Sequence, residues 1–245
     1  MSSPYVIEET NLSRAWVAAV QKIVDTSGSE ITPLLLTLTG FDEDKNLREA
    51  LDSSLLKKGK GSVQTVSETI FPDSLYKLAK GDRQTLYNIY NSNLARLKKI
   101  DKSNHKGTYF ERMIAYDGND GKINQLEVII SSLKSRNIKR RSKLQASIFD
   151  PRVDHTNGAF QGFPCLQHVT FYISESGGLV INSFYAIQYL YRRGYGNWLG
   201  LINLGKFIAN EVGLELERFN CFIGVEKLEV PKANAKKIIK KITKN

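Results

Sequence analysis

Cysteine is scarce in this chain of 245 residues: it has two, Cys165 and Cys221. Two thiols build no disulfide framework, and neither stands in a metal-binding spacing. A reducing cytoplasm is therefore the expected compartment. Long apolar runs are missing as well. The best one, Ile31 to Thr39, contains Thr and Pro and is strand-length, so no membrane span is expected. The opening residues, Met-Ser-Ser-Pro-Tyr-Val-Ile-Glu-Glu-Thr, have neither the basic flank nor the apolar stretch of a signal peptide. No internal repeat and no linker divides the chain. Its 41% hydrophobic and 10% aromatic content suffices for one sizeable core or two small ones. A single α+β domain is the economical reading.

Acid is absent from one stretch. From Lys232 onward there are lysines at 232, 236, 237, 240, 241 and 244, and no Asp or Glu. They supply six of the formal +10, leaving +4 over the rest. Such a basic tail, residues 231–245, reads as a solvated face or a frayed end. A nucleic-acid grip using this tail and the 134–143 cluster is the less favoured alternative. The remaining surplus fits an anionic small ligand such as a nucleotide.

What is present alternates between helix and strand patterns. Asn11 or Ser13 can cap a helix to about Val24, with Trp16, Val20, Ile23 and Val24 on one face. Ile31 to Thr39 predicts a buried strand, and Asp44 to Leu56 a helix. Ser62 to Phe71 is rich in Val and Thr. Pro72 and Asp73 open a long polar helix that Gly81-Asp82 can break. Ile123 to Leu133 is amphipathic, with Ile123, Leu126, Ile129, Ile130 and Leu133 on one face. Lys134, Arg136, Lys139, Arg140, Arg141 and Lys143 follow as a basic cluster. Leu144 to Phe149, Leu166 to Ile173, Leu179 to Tyr191 and Phe219 to Val230 predict strands. Tyr195-Gly196-Asn197 leads into a helix capped by Gly213, and close packing is the expected reason for Gly200 and Gly205 inside it.

Several of these segments, taken in order, resemble thymidylate synthase. Ile123-Asn124-Gln125-Leu126 through Lys139-Arg140-Arg141 resembles the family's Ile-Asp-Gln helix and its Ser-Arg-Arg pair. Gly107 to Arg112 resembles the preceding Tyr-Gly-x-x-Trp-Arg segment. Ser147-Ile148-Phe149-Asp150-Pro151 looks like Ser-Ala-Trp-Asn-Pro, and Phe163-Pro164-Cys165 like Pro-Pro-Cys-His. Gly177 to Leu214 matches the turn, strand and helix that follow. The resemblance is strongest over 107–230 and thin over 1–106, where Lys58 to Phe71 could replace an N-terminal arginine loop.

The resemblance implies a thymidylate synthase-like mixed sheet covered by helices, a homodimer formed through the back of the sheet, and chemistry at C5 of a pyrimidine nucleotide. That is methyl or hydroxymethyl transfer with methylenetetrahydrofolate as the donor. Cys165 falls at the nucleophile's position; its plain alternative is a buried small hydrophobe. Arg140 and Arg141 fall where the family reaches across the dimer to the partner's phosphate, and Lys143 can occupy one of those places. Asn197 stands either as the base-reading amide or as a helix N-cap before Trp198. Arg112 is grouped with the substrate-binding residues.

The same register shows departures. Ala186 stands for the arginine that holds phosphate and activates the thiol, and Tyr189 for the aspartate that contacts folate. Leu166 stands for the histidine after the cysteine, and Lys227-Leu228-Glu229 for the ribose-holding His-x-Tyr. His168 is out of phase with Cys165 and reads as a core or supporting histidine. His155 and Arg152 are candidate replacement phosphate ligands or plain surface residues. Each lost charge-assisted contact costs about 1.5–3 kcal/mol, so ordinary dTMP synthesis is not expected. A non-catalytic nucleotide-binding or protein-interaction subunit is the alternative function.

Overall fold

The computed structural model describes residues 3–100, 104–135, 140–155, 157 and 164–242, with side chains up to 240. The strands are β1 (Tyr5–Asn11), β2 (Glu30–Ile31), β3 (Leu34–Asp42), β4 (Tyr116–Gly118), β5 (Gly121–Ile123), β6 (Gln145–Ser147), β7 (Leu166–Ile173), β8 (Leu179–Tyr189) and β9 (Leu216–Lys227). The helices are α1 (Leu12–Asp25), α2 (Lys45–Lys57), α3 (Val63–Glu68), α4 (Asp73–Leu78), α5 (Arg83–Ile100), α6 (Tyr109–Ile114), α7 (Gln125–Lys134), α8 (Pro151–Asp154), α9 (Tyr195–Val212) and α10 (Lys232–Ile242). Seven strands form one mixed sheet in the order β1-β3-β9-β8-β7-β6, with β2 pairing β9. β1–β3 and β8–β9 run parallel, and the other pairs of this sheet antiparallel. The result is the expected α+β fold.

Alternation along the central strands decides which side the helices cover. Ile181, Ser183 and Tyr185 on β8, and Phe219, Cys221 and Ile223 on β9, are buried. The residues between them face away from the core. There a polar ladder crosses four strands: Asn182 donates to Thr170 at 3.1 Å, Asn220 to Asn182 at 2.8 Å, and Thr37 to Asn220 at 3.0 Å. Beside it His168 stacks on Phe184, and Phe184 on Phe222. His168 is therefore an exposed ladder residue, not a core histidine; its opposite facing from Cys165 is as expected.

Helix α1 begins where Asn11 accepts the Arg14 N–H, and buries Trp16, Val20, Ile23 and Val24. The Trp16 indole N–H donates to the Leu190 carbonyl at 3.0 Å, and Ser13 bonds the Tyr195 hydroxyl at 2.8 Å. These contacts anchor a π-helical turn, Leu190–Gly194, that follows β8 and feeds α9. The strand expected to reach Tyr191 thus ends at Tyr189. Gly213 closes α9 in the left-handed region, at φ 72°. A Cβ on Gly200 would sit 2.6 Å from the Ser67 carbonyl, and one on Gly205 2.8 Å from Leu216. Close packing explains both glycines.

Other expectations shift. The long polar helix is two, α4 and α5, broken where Lys80 and Gly81 take positive φ. Ile123 belongs to the β4–β5 hairpin and is exposed, because Asn124 caps α7 behind it. Residues 136–139 of the basic cluster, and Gly162 and Phe163, lie outside the described residues. The lysine tail is not a frayed end up to Ile242: α10 buries Ala235, Ile238 and Ile239, and Lys232 donates to the Thr26 carbonyl. Strand β1 is an addition that no sequence pattern announces.

Candidate active site

Cys165 stands just before β7, and its carbonyl accepts the Ala186 N–H at 3.1 Å, which sets it beside β8. The Gln167 side-chain amide donates to the Pro164 carbonyl at 2.5 Å and fixes the turn. The thiol borders a cavity of about 320 Å³, within the range of small-molecule sites. Its described walls are the 104–109 segment with Arg112, Thr69, Pro164, the end of β8 with Gln188 and Tyr189, Arg192 and Arg193, and Asn197.

Charge in this cavity has one sign. Lys106, Arg112, Arg192 and Arg193 line it, and no carboxylate is among the described lining residues. Two of the arginines are already engaged. Arg112 holds Asp154 with both arms, at 2.5 and 2.8 Å, and also donates to the Ile148 and Lys106 carbonyls. Arg192 pairs with Glu229 at 3.2 Å and lies over the Tyr189 ring. Arg193 makes no ion pair among the described residues and reaches solvent at the mouth.

Burial pushes the Cys165 thiol above its ordinary range, and the Arg193 charge partly opposes this. At neutral pH the thiol therefore carries its proton. Tyr109 lies beside the backbone of Cys165 and Leu166, and burial pushes its phenol up to about 12. It is a neutral hydrogen-bonding group throughout the physiological range.

Asn197 is a buried residue inside α9, whose N-cap is Gly194; the N-cap alternative is thereby removed. Cys165, Asn197 and Arg112 meet in one cavity. Arg140, Arg141 and Lys143 do not join them. Arg141–Lys143 forms an exposed 3₁₀ turn, and the Arg141 guanidinium lies over Tyr172 on β7. Arg152 is held by Asp150 at 2.7 and 3.0 Å, and exposed His155 packs edge-on against Phe149. Neither lines the cavity. Lys58 lies over the Tyr191 ring, and residues 63–68 form a helix packed on α9, with Val66 and the Val63 carbonyl against Gly196.

Sequence reasoning passed over four residues: Arg193, Tyr109, Gln188 and Glu226. A signal for the first was the pair Arg192-Arg193 between a strand and Gly194. For Gln188 and Glu226 it was a polar residue at each of two strand ends. Both are buried, in register on β8 and β9. No hydrogen-bond partner meets either side chain among the described residues. Burial drives the Glu226 carboxyl far above the usual carboxylate range, and Glu229 adds to the effect.

No model of a known protein family matches the chain. Over 108 residues it is 32% identical to a protein of Methanocaldococcus jannaschii named "Putative thymidylate synthase"; the match covers 43% of this chain and 47% of that protein. The chain thus spans about half the length of the curated relative it matches. Together with the α+β sheet fold, this supports a thymidylate synthase-like relationship over part of the chain and no finer identity.

Proposed function

We propose that the cavity binds a pyrimidine nucleotide and that Cys165 adds to C6 of its base, for transfer of a one-carbon group to C5. One observation carries this: a half-buried thiol, a guanidinium outside the described ion pairs and a buried side-chain amide, Cys165, Arg193 and Asn197, share one cation-lined cavity. Arg193, not position 186, supplies the cation near sulfur. At the mouth it offers paired N–H donors to a phosphate. Asn197 reads the base edge from the wall. Cys165 gives up its proton as its sulfur bonds to C6 and the C5–C6 double bond opens; C5 then bonds to the electrophilic carbon of a one-carbon donor, whose leaving group departs with the bonding electrons. Loss of the C5 proton then expels the Cys165 thiolate and restores the ring.

The donor half of the site fits less well. Tyr189 stands where the resemblance asks for a folate-contacting aspartate, and Arg192 covers its ring. No described lining residue offers a carboxylate in its place. The residues present therefore do not fit methylenetetrahydrofolate.

Arg140, Arg141 and Lys143 belong to this reading through a second copy. The open sheet face carries Val6, Phe184 and Phe222, of which Val6 and Phe222 are well exposed, and Arg141 sits at its Tyr172 end. A homodimer across that face would bury this surface. Light scattering that gives a monomer at micromolar concentration would remove this part.

The nucleophile is tested by hydrogen exchange at C5 of 2′-deoxyuridine or 2′-deoxycytidine 5′-monophosphate in D₂O, followed by NMR. Addition at C6, deuteration at C5 and elimination must replace the C5 hydrogen. Exchange that disappears in Cys165→Ala and survives in Cys221→Ala supports the proposal. Exchange that persists in Cys165→Ala, or none with wild type, sinks it.

A further inference from the structure

The cavity has a charged mouth and a neutral polar floor. At the mouth is Arg193; at the floor is Gln188, with Glu226 beside it on the neighbouring strand. Burial alternates along β8 to Tyr185 and along β9 to Ile223, then resumes at Gln188 and Glu226, three residues on. The phase slips by one residue in both strands at the same register. That slip turns two polar side chains to the buried side, where alternation would have kept them out.

Both then lack partners. Neither the amide nitrogen nor the oxygen of Gln188, and neither oxygen of Glu226, is hydrogen-bonded among the described residues. A Cβ built on Gly194 lies 3.5 Å from the Gln188 oxygen and 3.7 Å from a Glu226 oxygen, so the two groups converge on one glycine. Unsatisfied buried polar groups cost about 1–3 kcal/mol each, and such groups call for an external partner. Gln188 faces the cavity, so that partner can be a ligand.

We propose that Gln188 is a specificity-determining contact of this site that reads the hydrogen-bonding edge of a neutral pyrimidine base alongside Asn197. This rests on the nucleotide reading above. A pyrimidine edge sets acceptors and a donor side by side over three adjacent positions. One amide cannot match all three, whereas Asn197 and Gln188 together present two donor–acceptor pairs. Glu226 lies beside it in register at the same buried end of the cavity. An anion is disfavoured at this end and favoured at Arg193, which matches the polarity of a nucleotide: base inward, phosphate outward.

The test compares dissociation constants, by calorimetry, for 2′-deoxyuridine 5′-monophosphate, 2′-deoxycytidine 5′-monophosphate, their N3-methyl and N4,N4-dimethyl counterparts, and deoxyribose 5-phosphate. Wild type is expected to bind the better unmodified nucleotide at least tenfold more tightly than its alkylated counterpart. Gln188→Leu is expected to narrow that ratio at least threefold, Asn197 still reading part of the edge, and to leave deoxyribose 5-phosphate unchanged. Equal binding of plain and alkylated nucleotide by wild type overturns the proposal without any variant, and discrimination that survives undiminished in Gln188→Leu overturns it as well. If wild type binds the nucleotides no better than deoxyribose 5-phosphate, the base contact fails. If it binds none of the five, the nucleotide reading fails first and the base contact with it.

Discussion

Glu226 offers a direct thermodynamic test. Its carboxyl is fully buried on β9, with no hydrogen-bond partner among the described residues. Burial raises its folded-state pKa well above the usual 4.5, and Glu229 adds to the rise. In the unfolded chain the group titrates near that usual value. Above pH 4.5 the unfolded chain therefore gives up a proton that the folded chain keeps. The folded state binds one proton more, so stability falls as pH rises, by about 1.4 kcal/mol per pH unit, until the folded carboxyl itself ionises. Glu226→Gln keeps size and hydrogen-bonding capacity but has no proton to hold. Relative to its offset near pH 4.5, the variant should gain about 1.4 kcal/mol for each pH unit until the folded wild-type carboxyl ionises. Each such unit is a sizeable share of the roughly 5–15 kcal/mol of an ordinary domain. Urea unfolding of both proteins at pH 5, 6, 7 and 8 reads the difference. Other titrating groups, including both cysteines, are common to the two proteins and cancel. A difference that stays flat across this range, or that favours wild type increasingly with pH, would refute the picture of a neutral, unpartnered acid.

Three further outcomes follow from other parts of the molecule. Alkylation of Cys165 by iodoacetamide should show a pH midpoint above that of a free thiol, because burial raises it. Arg193→Gln should move the midpoint higher still; a midpoint below that of free cysteine would contradict the geometry. Removing one side of the buried Arg112–Asp154 pair should cost about 3–5 kcal/mol in urea unfolding. Burial pushes the Asp154 carboxyl up, but hydrogen bonds from Arg112 and the Asp150 N–H, with the Arg112 charge, together hold it below 3.8. Its contribution is thus present above 3.8 and lost as pH falls through the folded value; a cost under 1 kcal/mol in Arg112→Ala would count against the pair. Gly200→Ala should destabilise by about 1–3 kcal/mol, although alanine is the better helix former by about 1 kcal/mol, because its methyl would meet the Ser67 carbonyl at 2.6 Å. A rise in melting temperature would show that the α3–α9 contact gives way.

The fold was legible where local chemistry and tertiary demand agree. Asn11, Asp44 and Gly213 are caps that their neighbours require, and the observed helices begin or end beside them. β7 matches its predicted span to the residue, because both its faces are patterned and Pro164 precedes it. Legibility failed where a distant element decides. Nothing local marks β1 as a strand; it is held by pairing with β3, as between Tyr5 and Leu34. The lysines of α10 hide a stripe of Ala235, Ile238 and Ile239 that is buried once the helix lies on the core. Ile123 keeps helical spacing with Leu126 and Ile130, yet Asn124 caps the helix one residue after it.

The site divides along the same line. Cys165 and Asn197 were named from the register of the resemblance, and both border one cavity. The positions of Arg193, Gln188 and Glu226 could not be read in this way, because they depend on a strand register and on a π-helical turn that no local pattern announces. The missing arginine at position 186 looked like the loss of the cation that activates the thiol. In three dimensions Ala186 gives its backbone N–H to the Cys165 carbonyl, while the guanidinium that acts on the thiol comes from seven residues further on. Position in a motif and position in space had separated. The charge near the sulfur is supplied from a different point of the chain, and it opposes the effect of burial without cancelling it. A ligand phosphate drawn to Arg193 would offset that guanidinium and weaken its opposition further, which leaves burial as the dominant influence on when Cys165 gives up its proton.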